Sequence, residues 1–192
     1  LDETAEVIKC ISAVGDPIDI RSLGIDEANG LIGILDDSID EEYYRTVEAI
    51  SLRRVNTGDL RVVYSPQHGT GNIPVRHVLA DLGYDVVPVE KQCTPDPDFS
   101  ATKSPNPESP LAYEAALELA DKVNADIVIT TDPDCDRLGV AARDSDGALR
   151  LMTGNQSGAV LIEYILSTHR SRGTMPERAV MVNTIVTSDL GD

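Results

Sequence analysis

Three aspartates follow an apolar run about two thirds of the way along the chain, at every second position. Residues 127–129 are apolar, two threonines come next, and then Asp132, Asp134 and Asp136 lead directly into Arg137. Three carboxylates this close together repel one another, and a bound cation is the usual reason for keeping them. Carboxylate oxygens are hard ligands, which favours Mg²⁺, with Mn²⁺ or Ca²⁺ as the next choices. The sequence therefore predicts a metal site with the three aspartates as ligands.

Two other interpretations of this segment have to be considered. Aspartates that follow a strand often form no more than a polar turn, and turn chemistry alone leaves that alternative open. An EF-hand calcium loop starting at Asp132 would need glycine at its sixth position and glutamate at its twelfth. Those two positions hold Arg137 and Arg143, so the EF-hand interpretation is disfavoured.

The elements around the aspartates alternate between strands and helices. We predict strands at residues 60–64, 85–89 and 126–131, and helices at residues 73–82 and 110–123, the second capped by Ser109. This alternation is typical of parallel βαβ units, so we expect an α/β fold with a doubly wound, mostly parallel sheet in three α/β/α layers. Ligands of such sheets bind beyond the carboxyl ends of the strands. The turn at residues 65–71 and the loop at residues 132–137 should therefore share one edge, where we place the active cleft.

Further elements are predicted on both sides of this central part. They are a helix over residues 4–14, a strand over 30–35, a helix over 38–54, a hairpin of 138–143 with 148–152, a helix over 156–169 and a strand over 179–183. Ser38 is expected to cap the helix that follows it, with Glu41 completing a capping box. His68 lies in the glycine-rich turn without a neighbouring carboxylate, so we expect it to orient the turn by hydrogen bonding rather than to catalyse.

The composition excludes several classes of partner. The formal net charge is −17, and such a surface repels nucleic acid and anionic membranes. Aromatic residues make up 4% of the chain, with no tryptophan to stack on single-stranded bases. No apolar run approaches the roughly 18 residues of a membrane span. Three widely spaced cysteines suggest reduced thiols, so we expect a cytoplasmic protein that binds neither nucleic acid nor membrane.

The aspartate loop resembles the metal-binding loop of the α-D-phosphohexomutases, the superfamily of phosphoglucomutases and phosphomannomutases. Its sequence is Thr131-Asp132-Pro133-Asp134-Cys135-Asp136-Arg137. Four further stretches resemble motifs of that family in the same order, at residues 63–71, 105–108, 153–159 and 184–188. The metal loop is a specific signal, whereas each of the other four alone would be a weak one.

The resemblance implies that this chain is a middle piece of such a mutase. Residues 1–37 would be the end of domain 1, residues 38–150 domain 2 with the metal loop, and residues 151–192 the start of domain 3. The family's phosphoserine lies in a Thr-x-Ser-His-Asn-Pro motif, and its sugar loop carries Gly-Glu-x-Ser; neither motif occurs in this sequence. The piece would therefore supply the metal site, contact the other mutase domains, and be inactive alone.

The resemblance also implies a reaction and its participants. A phosphoserine outside this chain would pass its phosphoryl group to a hexose monophosphate, with a hexose bisphosphate as the intermediate. Glucose 1-phosphate and glucose 6-phosphate would be the substrate pair. Asp132, Asp134 and Asp136 would bind Mg²⁺, and Arg137 would contact a phosphate, since arginine matches phosphate oxygens well. The alternative for Arg137 is that it only neutralises the charge of the three aspartates.

Two rival functions remain open from the sequence. The first is a haloacid-dehalogenase-like phosphatase, in which an Asp-x-Asp motif also follows a strand and its first aspartate is the nucleophile. A third carboxylate at Asp136 favours a metal loop over that arrangement. The second rival is a non-catalytic module that binds a metal or a sugar phosphate.

Overall fold

The computed structural model describes residues 2–16, 22–53, 57, 59–182, 184 and 187 of the chain. The chain divides into two compact units, residues 1–39 and residues 40–192. The first unit contains helix α1 (Asp2–Ala13) and the single-turn helix α2 (Ile25–Ala28). Helix α3 (Ser38–Ala49) follows. No helix in the described ranges is both long and apolar enough to cross a bilayer.

The second unit is built on one five-stranded sheet. Its strands are β1 (Arg61–Ser65), β2 (Asp85–Pro88), β3 (Ile127–Thr131), β4 (Leu138–Arg143) and β5 (Leu149–Leu151). The spatial order is β2-β1-β3-β4-β5, in which β1 pairs in parallel with β2 and β3, and β4 pairs antiparallel with β3 and β5. Four of the five strands therefore run in one direction, and the sheet is mixed because β4 runs against the others.

Helices cover both faces of the sheet, which confirms the α/β class expected from the sequence. Helix α5 (Glu114–Val123) packs through Ala116 and Ala120 on the face that carries Val63 and Val128. A short 3₁₀ turn (Pro110–Tyr113) leads into α5, and the Ser109 side chain caps it as predicted. The alternate residues of β1, Val62 and Tyr64, are buried on the other face.

Helix α4 (Asn72–Asp81) connects β1 to β2 on the Tyr64 side of the sheet. The Tyr64 hydroxyl lies 2.5 Å from where a Cβ on Gly71, just before α4, would stand. Helix α4 in turn contacts α3, where the rings of Tyr44 and His77 stack with centroids 4.1 Å apart. Gly83 ends α4 with φ +91°, a conformation that glycine adopts without strain.

The hairpin of β4 and β5 returns the chain to the edge where β3 ends. Helix α6 (Gly154–Arg172) starts there, with Thr153 and Gln156 forming a capping box at its N-terminus. Near its other end, the Tyr164 hydroxyl accepts hydrogen bonds from the N–H groups of Leu52 (3.0 Å) and Arg53 (2.9 Å). The Arg53 guanidinium also donates to the Thr168 hydroxyl. We call this group of four residues the α6 clasp.

Three predictions about local structure were wrong. Residues 30–35 form no strand; Leu31 and Ile34 are 78% and 92% exposed, and no described strand lies beside them to complete a ladder. Residues 179–182 are also irregular, and Asn183, the end of that predicted strand, lies outside the described residues. Both segments are apolar, but apolar character without a pairing partner does not make a strand.

The predicted cap of α3 was also misplaced. Ser38 is the first residue of the helix, and its N–H donates to Asp36 Oδ1 at 3.0 Å. A carboxylate is a stronger acceptor than a hydroxyl and its charge suits the positive end of the helix. The Ser38 hydroxyl and N–H accordingly lower the pKa of Asp36.

Candidate metal centre

The three aspartates meet at the carboxyl end of β3. Asp132 is the first residue after the strand and is fully buried, whereas Asp134 and Asp136 are exposed. One carboxylate oxygen from each lies within 4.8 Å of the others, a spacing that could hold a metal ion. The loop therefore brings together the three residues that the sequence singled out.

Arg137 closes this loop onto Asp132. Its backbone N–H donates to Asp132 Oδ1 at 2.9 Å, and its guanidinium Nε donates to Asp132 Oδ2 at 2.7 Å. The N–H of Cys135 donates to the Asp132 carbonyl at 3.0 Å, and Cys135 has a φ of +63°. This left-handed turn reverses the chain so that Asp134 and Asp136 point back toward Asp132.

The hydrogen bonds set opposite pKa directions within the cluster. Burial acts to raise the pKa of Asp132, but the N–H groups of Arg137 and a hydrogen bond with Asp136 outweigh burial and hold it below its ordinary value. The pKa of Asp136 is raised, first by its hydrogen bond with Asp132 and then by the negative charges of Asp134 and Asp132. A cation among these oxygens would relieve that repulsion.

The glycine-rich turn at residues 65–71 packs against the aspartate loop, which confirms that the two share one edge of the sheet. The N–H of Thr70 donates to the Pro133 carbonyl at 2.8 Å. A Cβ placed on Gly69 would lie 2.3 Å from both the Cα and the carbonyl oxygen of Pro133. The two backbones are therefore in direct contact, and position 69 has no room for a side chain larger than that of glycine.

A second contact under the loop involves Cys135. The Tyr64 hydroxyl and the Thr131 hydroxyl are 2.9 Å apart. A Cβ on Gly71 would lie 2.5 Å from that Tyr64 oxygen and 2.8 Å from Cys135 Sγ. Cys135 is thus a packing residue of the loop, and burial raises the pKa of its thiol. A neutral thiol is a poor ligand for a hard cation.

His68 has the structural role that the sequence predicted. Its ring Nδ1 lies 2.8 Å from the Thr94 carbonyl, and its Nε2 accepts the N–H of Ala101 at 3.4 Å. The backbone N–H of His68 donates to the Gln92 carbonyl. Both ring nitrogens are therefore used to fix the long loop that precedes α5, and His68 is 8% exposed.

Asn106 is part of the site but was not among the residues predicted from the sequence. Asn106 lies in that same long loop, and its Oδ1 accepts from Arg137 Nη1 at 3.4 Å. The available signal was the Asn-Pro pair at residues 106–107, since asparagine before proline favours a turn that its own side chain stabilises. Beside Arg137 lies a cavity of about 540 Å³, which Glu108 and residues 153–155 at the start of α6 also line.

The residues present fit a hard divalent cation. Both oxygens of Asp132 are bonded to Arg137, yet each keeps a second lone pair for a metal. Asp134 has no hydrogen bond or ion pair within the described ranges, so its carboxylate is available. A Mg²⁺ ion held by these three carboxylates would keep several coordination positions for water or phosphate oxygens.

Comparison with known proteins places this architecture in context. A family model described as phosphoglucomutase/phosphomannomutase, alpha/beta/alpha domain II, matches residues 41–147. A phosphoglucomutase of Staphylococcus aureus MRSA252 is 38% identical over 191 residues, covering 98% of this chain and 34% of that protein. A phosphoglucomutase of S. aureus USA300 is 38% identical over 182 residues, covering 94% of this chain and 32% of that protein.

A solved structure shares the fold. It is a Thermus thermophilus protein assigned as a phosphomannomutase, with a TM-score of 0.55 and 22% identity. The match covers 69% of this chain and 29% of that one. The chain thus spans about a third of the length of the curated relatives it matches.

Proposed function

Because this chain belongs to the phosphoglucomutase/phosphomannomutase family, we propose that it supplies the metal-binding domain of a Mg²⁺-dependent phosphohexomutase. The reaction is the interconversion of hexose 1-phosphate and hexose 6-phosphate, with a hexose bisphosphate as the intermediate. The relatives at 38% identity are named phosphoglucomutases, which favours glucose phosphates as the substrates. The observation that carries the proposal is the buried Asp132, grouped with two exposed aspartates and locked to Arg137.

In this proposal the chain's own residues hold the ion and one phosphate. Asp132, Asp134 and Asp136 bind Mg²⁺, and a bound Mg²⁺ would withdraw charge from a phosphoryl group as a Lewis acid. Arg137 is half exposed beside the cavity of about 540 Å³, and its Nη2 has no hydrogen-bond partner in the described part of the chain. That free donor suits a phosphate oxygen.

The domain assignment follows the family resemblance. We propose that residues 1–37 belong to the first mutase domain, residues 38–150 to the second and residues 151–192 to the third. The phosphoserine and the sugar-recognition loop then lie in other parts of a cytoplasmic enzyme, and these parts contact this chain. The match covers 34% of the length of the S. aureus MRSA252 relative, which supports placing those groups in other parts of the enzyme.

A coupled assay for conversion of glucose 1-phosphate to glucose 6-phosphate tests the proposal. The full-length protein that contains this chain should turn over with Mg²⁺ and a bisphosphate activator, and should lose activity on chelation and regain it with Mg²⁺. The 192-residue chain alone should show no turnover above the blank. The same assay with mannose 1-phosphate in place of glucose 1-phosphate shows which hexose phosphate is the preferred substrate. Turnover that survives both chelation and Asp134→Asn would reject the metal site.

The two rivals are answered by different results. A haloacid-dehalogenase-like phosphatase would form a phosphoaspartate at Asp132 and release inorganic phosphate. A purely binding module would bind hexose phosphate in the full-length protein without turning it over. The third carboxylate at Asp136, grouped with Asp132 and Asp134, supports the ligand role over that of a nucleophile.

A further inference from the structure

The Arg137 guanidinium is held from two sides. Its Nε donates to Asp132 Oδ2 at 2.7 Å, and its Nη1 donates to Asn106 Oδ1 at 3.4 Å. The two acceptors belong to different segments, one to the metal loop and one to the long loop before α5. A planar fork bonded at two of its nitrogens has its plane fixed, whereas one bond leaves it free to turn.

Asn106 is itself fixed before it meets Arg137. Its Oδ1 accepts the N–H of Glu108 at 3.0 Å, and its carbonyl accepts the N–H of Ser109 at 2.9 Å. This is an Asx turn, in which the side chain holds the backbone two residues further on. The oxygen presented to Arg137 is therefore set in place by the loop's own backbone.

The loop that carries Asn106 is also pressed against the sheet. The carbonyl of the buried Pro107 accepts the hydroxyl of Tyr113 at 3.0 Å. A Cβ on Gly139, two residues beyond Arg137, would lie 1.8 Å from the Tyr113 oxygen and 2.8 Å from the Pro107 carbonyl oxygen. Tyr113 is 1% exposed. The distance between Asn106 and β4 is thus set by packed groups with no room to shift.

We propose that Asn106 is a positioning residue that sets the plane of the Arg137 guanidinium and so aims its free Nη2 at a phosphate oxygen of the substrate. The role of Nη2 toward phosphate rests on the proposed function; the orientation of the guanidinium does not. Fixing this donor before the substrate arrives lowers the ordering cost of binding and keeps the donor in place during phosphoryl transfer.

The first test measures guanidinium rotation in the 192-residue chain by ¹³C and ¹⁵N NMR of arginine Cζ and Nε. Asn106→Ser keeps a turn-forming oxygen for the Glu108 N–H but is too short to reach Arg137. It should speed rotation about the Arg137 Nε–Cζ bond about fivefold, the equivalent of one ordinary hydrogen bond. Asn106→Asp keeps both acceptor functions and should stay within about twofold of wild type on the same reasoning.

Asp96→Ser is the matched control. Asp96 forms the same turn in the same loop, accepting the N–H of Asp98 at 3.0 Å, and makes no bond to Arg137. It should leave Arg137 rotation unchanged. Equal rotation rates in wild type and Asn106→Ser, or an equal increase in Asp96→Ser, would overturn the positioning role.

The second test uses the full-length enzyme and a double-mutant cycle. Asn106→Ser should lower kcat about tenfold with a smaller change in KM, and should have no further effect when Arg137 is already alanine. An equal loss of kcat on Asn106→Ser with arginine or with alanine at position 137 would mean that Asn106 acts on the fold and not through Arg137. If wild type shows no mutase activity, the proposed function fails while the rotation measurement still decides the role of Asn106.

Discussion

Replacement of Gly69 by alanine tests whether the glycine-rich turn holds the aspartate loop in place. Gly69 does not have a positive φ, so an alanine backbone is compatible and only space is at issue. The added Cβ would stand 2.3 Å from two backbone atoms of Pro133, whereas ordinary contact begins near 3.4 Å. The Pro133 backbone therefore has to move by about 1 Å, and the two flanking candidate ligands, Asp132 and Asp134, have to move with it.

The expected effects of Gly69→Ala follow from that displacement. Crowding against a rigid backbone should lower the free energy of unfolding by about 1–3 kcal/mol. Metal affinity should fall by roughly tenfold, because ligand groups tolerate only about 0.5 Å of misplacement. Urea unfolding followed by circular dichroism gives the first quantity, and electron paramagnetic resonance titration with Mn²⁺ gives the second.

Gly158→Ala is the control for Gly69→Ala. Gly158 lies inside α6 with no atom within 4 Å of its would-be Cβ, so alanine should stabilise the chain by up to about 1 kcal/mol and leave Mn²⁺ affinity unchanged. A Gly69→Ala chain as stable as wild type, with undiminished Mn²⁺ affinity, would refute the idea that the turn positions the loop.

Three further outcomes are expected. Asp134→Asn should weaken Mn²⁺ binding in the same titration without changing the circular dichroism spectrum, since Asp134 is exposed; equal affinities would exclude the triplet as the metal site. Asp132 should not form an adduct with beryllofluoride in fluorine NMR, and a stoichiometric adduct there would favour a phosphatase mechanism. Burial raises the pKa of Tyr113 to about 12, above the roughly 10 of an unfolded tyrosine, so its contribution to stability is complete below about pH 10 and is lost as pH rises toward 12. Tyr113→Phe should therefore flatten the decline of unfolding free energy in alkaline urea titrations, and an unchanged slope would contradict this assignment.

Most of the sheet could be predicted because its strands are short apolar runs with clear ends. The run at residues 126–131 stops at a carboxylate, and Gly83 marks the end of α4. The wrong strands at residues 30–35 and 179–182 have the same apolar character. Unlike those two segments, β3 pairs with a strand on each side, β1 and β4. Pairing over long sequence distances is not visible in local composition.

The candidate site was predictable in its members but not in its geometry. Three aspartates at alternating positions predict a cation site, because their charges repel one another, and the fold brings the same three together. That Asp132 is buried and bonded twice by Arg137 depends on the left-handed turn at Cys135, a conformation that non-glycine residues seldom adopt. Asn106 was missed because it lies 31 residues before Arg137, and only the folded loop brings the two together.

The α6 clasp brings together the two ends of the segment that contains the sheet and the aspartate loop. The bond between Arg53 and Tyr164 joins residues 111 positions apart, so the segment between them begins and ends at the same place in the fold. A linker of a few residues could bridge that gap, and new chain ends could be opened in the turn at residues 144–147 between β4 and β5. The five strands would keep their order in such a permuted protein, and the metal loop could be transplanted whole into another scaffold.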